Sequence, residues 1–383
     1  METTKELTEI TLPKDIIDIS NAYINAGKDI FLVGGAVRDF IKGIVPKDWD
    51  LVTNALPDES KEILKNFNVS DEQGKNFGVL RVYTKTEPSG YEIASYRRDI
   101  SGGRDTKGDD QKVEMGADIT IEDDCMRRDF TINALFYDIK SKKIVDLVGG
   151  VDDIKSGIVR AVGSPKQRFE EDRLRLMRAF RFASRISGKI DEKTSDAIKT
   201  DNRLRGIGTK DDVSQERIWE EIKKSFKQSN DYNFYLSFFS EFDMWLQVFP
   251  DVQINTKLVD SKDFVVIMSN LFLGNKISLL ETKLVQEFKI EVDTAKKILF
   301  LISLKDFDVN KVLDFYKKKQ SSGVTNKTMM EWITKTGILN TDILKFIDWT
   351  PSVKSTELIE MGFSGKALGD EIKRLEVENF KNK

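Results

Sequence analysis

Hydrophobic and polar positions along the chain change their rhythm near residue 150. Before that point short apolar runs alternate with helical stretches, the pattern of a mixed α/β unit. Ile30-Phe31-Leu32-Val33 reads as a buried strand, broken by Gly34-Gly35, and Ala36 to Lys42 reads as a helix. Trp49–Thr53, Val79–Tyr83 and Tyr91–Tyr96 read as three further strands. Between Asp99 and Lys112 the segment SGGRDTKGDDQK has no periodicity and reads as a loop. After Gly149-Gly150 strand signals fade. Arg168 to Arg185 is expected as one long helix, with Leu174, Met177, Phe180 and Ala183 among its apolar positions. Val213 to Phe226 reads as an amphipathic helix capped by Ser214, and the rest as helices interrupted near Pro250, Gly274 and Gly323. The expectation is an α/β head followed by an all-helical body.

Length and composition bound this picture without changing it. The chain has 383 residues, enough for two to four packed units, and its 39% hydrophobic content suits a globular protein. No apolar run is long enough to span a bilayer, and Met1 to Ile10 has neither a secretory nor a transit-peptide character. The single cysteine, Cys125, rules out an intramolecular disulfide and a thiolate zinc cluster, and points to a reducing cytoplasm. Histidine is absent. That excludes Ser-His-Asp and Cys-His catalysis and histidine-held zinc or iron, leaving carboxylates, Lys, Arg, Ser and Tyr to carry any chemistry. The net charge of −3 is no sign of nucleic acid, so a nucleic-acid enzyme has to gather its basic residues on one face.

Three constellations then stand out. In the first, Gly34-Gly35-Ala36-Val37-Arg38-Asp39 is followed by Lys47-Asp48-Trp49-Asp50. A strand that ends in two glycines and opens a helix lets backbone N–H groups approach a phosphate, although a glycine pair is also an ordinary tight turn. On a strand, Asp48 and Asp50 project from one face, where two carboxylates repel unless a cation such as Mg²⁺ lies between them. The plain alternative is a solvated pair in a loop. The second constellation is Arg127-Arg128-Asp129-Phe130-Thr131-Ile132-Asn133. Its arginines suit a triphosphate and its Asp and Asn oxygens suit a ribose hydroxyl, or the run is an ion-pair cluster. The third is Glu171-Asp172-Arg173-Leu174-Arg175, running on to Arg178 and Arg181. On a helix, Asp172 and Arg175 are i, i+3 neighbours. An acceptor-only carboxylate beside a donor-only guanidinium matches the base edges of C and A and leaves U and G unpaired, a discrimination that reaches ~4 orders of magnitude in favourable cases. The alternative is a surface salt bridge worth ~0.3 kcal/mol. Arg160, Lys166, Arg168, Arg173, Arg175, Arg178, Arg181, Arg185 and Lys189 make this the most basic stretch, a place for triphosphate and RNA backbone or a solvated helix face.

Taken together, over about residues 25–225, these segments resemble the class II tRNA nucleotidyltransferases, the bacterial-type CCA-adding enzymes, and the similar bacterial poly(A) polymerases. LVGGAVRD with KDWD resembles the family's first motif, RRDFTINAL the second, and Asp146-Leu147-Val148-Gly149-Gly150 with Asp152-Asp153 the third. EDRLRLMRAFRF resembles the fourth and SQERIWEEIKK the fifth. Five motifs in order are far more specific than any one alone. Arg173 stands where the family often has proline.

The resemblance implies a head related to the DNA polymerase β palm (residues 1–147), a nucleotide-selecting helical neck (148–226), a helical body (227–300) and a tRNA-binding helical tail (301–383). It implies Asp48 and Asp50 as metal ligands, with Glu92 a candidate third catalytic carboxylate. Gly34, Gly35, Arg38 and Arg128 are then nucleotide contacts, and Asp129 and Asn133 lie near the ribose. Asp172 and Arg175 become a protein template for C and A, with Arg178 and Arg181 nearby. The implied cofactor is Mg²⁺, one ion activating the tRNA 3′-hydroxyl and another stabilising pyrophosphate. The implied partners are tRNA, CTP and ATP, with no membrane and no protein partner indicated. Within the family, the Asp99–Lys112 loop favours full CCA addition over CC addition. Gly74-Lys75-Asn76-Phe77-Gly78-Val79 looks like the CCA-adding form rather than the basic GRRFRL type of poly(A) polymerases. A-only addition stays open, and so does an inactive RNA-binding relative, against which both aspartates speak.

Overall fold

In a computed structural model the chain is described over residues 10–70, 78–99, 113–205 and 212–382. It divides into two compact units. The first comprises Met1–Ser214 and Lys227–Phe238, the second Gln215–Phe226 and Phe239–Lys383.

The first unit is built on a seven-stranded mixed sheet. Its strands are β1 (Ile30–Val33), β2 (Leu51–Thr53), β3 (Asn68–Ser70), β4 (Val79–Tyr83) and β5 (Tyr91–Ser95). A two-residue ribbon follows, β6 (Arg98–Asp99) and β7 (Val113–Glu114), and then β8 (Leu135–Asp138) and β9 (Lys143–Asp146) complete the large sheet. The order is β3-β4-β5-β2-β1-β8-β9. Central β1 pairs antiparallel with both β2 and β8, whereas β2 runs parallel to β5. Strand β1 is apolar throughout because it is covered on both faces: Ile30, Leu32 and Val33 are all buried. Val33 packs with Val52, Cys125, Ala134 and Phe136 in one cluster.

Helices α1 (Lys14–Asn25), α2 (Gly35–Ile41), α3 (Pro57–Ile63), α4 (Ile121–Met126) and α5 (Gly150–Ser156) accompany the sheet. The turn from β1 into α2 requires glycine, since Gly34 has φ 65° and ψ −124°, a region closed to other residues. Gly150 is required for a different reason. A Cβ there would lie 2.2 Å from the Thr131 carbonyl oxygen, so only glycine lets α5 approach the Thr131–Asn133 turn. Asp146 fastens the same place by accepting hydrogen bonds from the N–H groups of Val148, Gly150 and Val151.

Two expected elements are corrected. Strand β2 begins at Leu51, so Asp48 and Asp50 precede it. The Val33 N–H donates to the Asp50 carbonyl at 3.0 Å, which leaves Asp50 as the extended lead-in to the strand. The expected helix over Arg168–Arg185 is two: α6 (Pro165–Glu171) and α7 (Arg175–Ile186). Asp172 is extended, with φ −155° and ψ 104°, and its carboxylate accepts from the Leu174 N–H at 3.1 Å. An aspartate that binds the backbone two residues ahead competes with the helical ladder, which is why the helix breaks here. The helical pattern itself survives on either side.

Helix α8 (Glu192–Thr200) follows, then α9 (Gln215–Gln228), which begins directly after Ser214 and crosses from one unit's residues to the other's. The first unit ends at Phe238 within α10 (Tyr232–Glu241), and Phe238 stacks on Phe180 of α7 at 5.4 Å. Beyond α10 the second unit is helical throughout its described residues, ending in the 18-residue helix Gly365–Asn382. Phe249, Phe272 and Phe288 meet edge-on and stacked in its core. Phe307, Phe315, Phe346, Trp349 and Phe380 form a second aromatic cluster. Among the described residues no helix is long and apolar enough to cross a membrane.

Candidate active site

A cleft of about 350 Å³ opens in the first unit where β1 turns into α2. One set of lining residues runs from Gly35 through Arg38, Asp39 and Lys42 to Lys47, Asp48 and Asp50. The other set comes from the end of α7, Arg185 and Ile186, from the end of α9, Lys227 and Gln228, and from Asn230 just beyond it.

The sheet explains the carboxylates. Parallel pairing of β2 with β5 sets Leu51 opposite Ile93, so the preceding residues, Asp50 and Glu92, fall side by side at the strand ends. Antiparallel pairing of β4 with β5 sets Arg81 opposite Glu92, and the two side chains form an ion pair. Asp50 is reached by water through the cleft yet ringed by protein. That enclosure, then Glu92, then Asp48 push its carboxyl up to about 6, against Arg128 and Arg81. The anion at Asp50 is therefore short of positive charge. Among the described residues no three His, Cys, Asp or Glu side chains form a ready-made cage. Mg²⁺ does not need one, since it commonly takes one or two carboxylates and completes its shell with water and phosphate.

Behind the cleft a continuous polar chain links three elements. Arg185 donates to Asp39 at 2.7 Å, and the other Asp39 oxygen accepts from Arg38 at 3.1 and 3.2 Å. Arg38, 2% exposed, also donates to the Asn133 side-chain oxygen. Asn133 donates to Asp129 at 3.1 Å, and Asp129 accepts from Arg178 at 2.8 Å. Burial alone would raise the Asp129 carboxyl, but Arg178, Asn133 and Arg175 outweigh it and hold the group down at about 2. Burial, with Arg185 close by, lowers the Arg38 guanidinium to about 10.

The second pair of arginines is anchored from below. Asp124, fully buried, is the shared partner of Arg127 and Arg128, at 2.8 and 2.7 Å. Arg128 also lies over the Phe136 ring at 4.9 Å and donates to the Asn133 carbonyl at 3.3 Å. Nothing in the sequence reading singled out Asp124, although its place four residues before Arg128 on a helix was a usable signal. Asp153 of the third motif takes the Thr131 hydroxyl at 2.6 Å and the Arg160 guanidinium, so this motif braces the second.

The arginines of the basic stretch are largely paired within the protein. Arg168 and Arg175 pair with Glu171, Arg173 with Asp201 at 2.8 Å, Arg178 with Asp129, and Arg185 with Asp39. Arg181 donates to Gln228 at 2.8 Å. Arg175 and Asp172 do not share a helix face as expected, because Asp172 ends α6 and Arg175 begins α7. Both are nonetheless buried at that junction, and Arg175 is held by Glu171 at 2.6 Å and by the Arg168 and Arg127 carbonyls.

Of the residues singled out from sequence, the cleft collects Gly35, Arg38, Asp48 and Asp50. Glu92 flanks Asp50, and Asn133, Asp129 and Arg178 reach the cleft through Arg38. Asp39, Lys42, Arg185, Lys227, Gln228 and Asn230 were not singled out as site residues from sequence. Their grouping depends on how α2, the end of α7 and the segment from Lys227 to Asn230 converge within the first unit. Residues 100–112 and 74–77, on which the loop and strand comparisons rested, lie outside the described residues.

Comparison with known proteins sharpens this picture. Residues 30–160 match the poly A polymerase head domain. Poly(A) polymerase I of Salmonella typhimurium is 33% identical over 233 residues, which are 59% of this chain and 48% of the relative. The chain thus spans about half the length of that relative. The CCA-adding enzyme of Lactococcus lactis subsp. cremoris is 33% identical over 304 residues, 76% of this chain and 72% of the relative. The crystal structure of the Bacillus stearothermophilus CCA-adding enzyme in complex with CTP has the same fold, with a TM-score of 0.68 at 22% identity, over 96% of this chain and 94% of that one.

Proposed function

The chain belongs to the class II tRNA nucleotidyltransferases, the family of CCA-adding enzymes and bacterial poly(A) polymerases, and we propose that it adds C and A to the 3′ end of tRNA from CTP and ATP. The observation that carries this reading is the cleft that joins a glycine turn, a buried arginine and two aspartates, Asp48 and Asp50, with Glu92 beside the second. The likeness to the Lactococcus enzyme extends over 304 residues, against 233 for poly(A) polymerase I, which favours CCA addition over poly(A) synthesis.

In this reading a 3′-hydroxyl oxygen attacks the α-phosphorus of the nucleotide and pyrophosphate leaves, a transfer governed by positioning and charge neutralisation. The donor set fits Mg²⁺: oxygen ligands only, open to the cleft, with an excess of negative charge around Asp50. Asp48 and Asp50 would hold the metal, which would neutralise the transferring phosphoryl group and lower the pKa of the attacking hydroxyl. Gly34 and Gly35 keep the start of α2 clear of side chains, so backbone N–H groups can face phosphate. Arg38 and Arg128, already held by Asp39 and Asp124, present guanidinium groups without further ordering. Asp129 and Asn133 are oriented by Arg178 and Arg38, which suits them to read a ribose hydroxyl.

Asp172 and Arg175 remain the proposed template for C and A, on the strength of their donor and acceptor chemistry and their burial at the α6–α7 junction. Arg175 has to exchange Glu171 for a base edge to serve. The helical residues 301–383 are the proposed tRNA-binding tail.

The test supplies a tRNA lacking its last three nucleotides, Mg²⁺ and each labelled nucleotide in turn. Two C residues followed by one A are expected. Incorporation of neither CTP nor ATP overturns the reading, and long A tails on arbitrary RNA assign the chain to poly(A) synthesis. Asp172→Ala should relax discrimination against UTP and GTP by at least about tenfold; an unchanged preference removes the template.

A further inference from the structure

The cations around the cleft fall into two kinds. The arginines are committed: Arg38 and Arg185 share Asp39, and Arg178 is bound to Asp129. Lys42, Lys47 and Lys227 are not. All three line the cleft and are exposed, and among the described residues none has a carboxylate partner. Some surface lysines here do pair with a carboxylate, as Lys28 does with Glu59. Lys42 is moreover crowded by cations. Enclosure first, then Arg38, and more weakly Arg185 lower its ammonium below the usual lysine value, with only Asp39 opposing.

Their positions indicate what they face. Lys42 caps the C-terminal end of α2, seven residues from Gly35. At 1.5 Å per residue that is about 10 Å along the helix from the turn proposed to face the nucleotide phosphates. Lys47 lies beside Asp48, and Lys227 comes from α9, next to Gln228 and Asn230. The lysines thus mark a rim that starts at the reacting centre and leads away from the glycine turn. Ile44 and Val45, 51% and 82% exposed, give the same rim an apolar surface that a ribose or base can lie against. A polyanion with apolar faces between its charges, entering with its end at Asp48 and Asp50, matches this arrangement. A compact triphosphate seated at Gly35 lies at the near end of this rim, about 10 Å along α2 from Lys42.

We propose that Lys42, Lys47 and Lys227 form the site that holds the backbone phosphates of the RNA immediately behind its 3′ end, setting the terminal hydroxyl against the two aspartates. This rests on the nucleotidyltransferase reading above. Electrostatic contacts of this kind are independent of sequence and sensitive to salt.

The test uses the K42Q/K227Q variant, which leaves Lys47 and its neighbour Asp48 untouched, on a tRNA transcript lacking its last three nucleotides. The KM for tRNA should rise about tenfold while the KM for CTP moves less than twofold. The salt dependence of tRNA binding should flatten by about 1.4 to 1.8 in log–log slope, for two lost phosphate contacts. K42R/K227R should restore both quantities, which separates lost charge from a damaged fold. An unchanged tRNA KM overturns the proposal, as does a CTP KM that rises in step, which would assign the lysines to the triphosphate. Fluorescence anisotropy of the same tRNA without nucleotide keeps the two readings distinguishable. Should the wild type incorporate nothing yet bind tRNA through these lysines, only the activity falls.

Discussion

The two units of this protein are held together by different means. The interior of the first is threaded with charge: Arg38, Asp39, Asp124, Asp129, Asp153 and Arg175 are all buried and all paired. The core of the second is aromatic, with Phe249, Phe272 and Phe288 in one cluster and Phe307, Phe346 and Trp349 in another. Its buried charges are fewer: Lys319 and Glu376 bind the main chain, at Ile347 and at Ser352 and Val353, and Lys283 pairs with Asp251 and Glu287. Burying ion pairs is a poor route to stability, since desolvation consumes most of the attraction. On the proposed function the first unit carries them because guanidinium groups that are to meet a phosphate have to be held still before it arrives, and buried carboxylates do that. The second unit, with no such groups to hold, uses area and ring packing.

This contrast can be broken at several points. The largest effect is expected where charge serves chemistry alone. Asp48→Ala, at an exposed position, should lower nucleotide incorporation by at least about 1,000-fold, about 4 kcal/mol, while the melting temperature holds. Retained activity would remove Asp48 from the metal site.

Next come the interiors. Asp124→Ala leaves two partly buried arginines without their partner and should cost about 3–5 kcal/mol in urea unfolding. Phe272→Ala in the aromatic core should cost a similar 3–5 kcal/mol by opening a cavity. The two should differ in salt: 1 M NaCl changes the Asp124 penalty and leaves the Phe272 penalty alone. Equal salt responses would refute the division.

A smaller effect follows from pH. The Asp129 carboxyl sits at about 2 in the folded chain, below its unfolded value of 3.8. Its ion pair therefore stabilises the fold fully above pH 4, by about 2 kcal/mol, and that contribution is lost as pH falls towards 2. Asp129→Asn should flatten this part of the acid-unfolding curve; an unaltered curve would show that the pair is not what acid breaks.

Smallest is a change in reactivity rather than stability. Cys125 lies buried in the first unit's core, and burial pushes its thiol up to about 12. It should resist alkylation at pH 8 in the native protein and react fully in urea. Four of the five tryptophans, Trp219, Trp245, Trp332 and Trp349, lie in the second unit. Thiol reactivity and tryptophan fluorescence thus follow the two units separately, and different urea midpoints are expected for them.

Much of this was legible in the sequence. Strands β1 and β4 lie where the hydrophobic pattern placed them: β1 is apolar throughout because it is covered on both faces, and β4 alternates buried with half-buried positions. The glycine turn, both aspartates and Arg38 were identified together and do line one cleft. The fourth motif was misread in its geometry. Its residue types favour a continuous helix, and the break at Asp172 comes from a side chain that captures the Leu174 N–H, which competes locally with a helix that propensity alone supports. Likewise, the basic stretch could not be read as an ion-pair network, because Asp39, Asp129 and Asp201 stand far from their arginines in the chain.

The sequence by itself determined the class of chemistry and the kinds of element. Without histidine, and with one cysteine, only oxygen ligands and cationic donors were available, and apolar periodicity separated the sheet-bearing head from the helical remainder. The tertiary structure decided which charges are spent on one another and which remain open. Strand register set Glu92 beside Asp50, and packing of α7 turned Arg178 and Arg185 inward onto Asp129 and Asp39. The same packing left Lys42, Lys47 and Lys227 facing the cleft. The pairs Arg178–Asp129 and Arg185–Asp39 join residues distant in the chain, so no local pattern encodes them, and the fold alone brings the partners within reach.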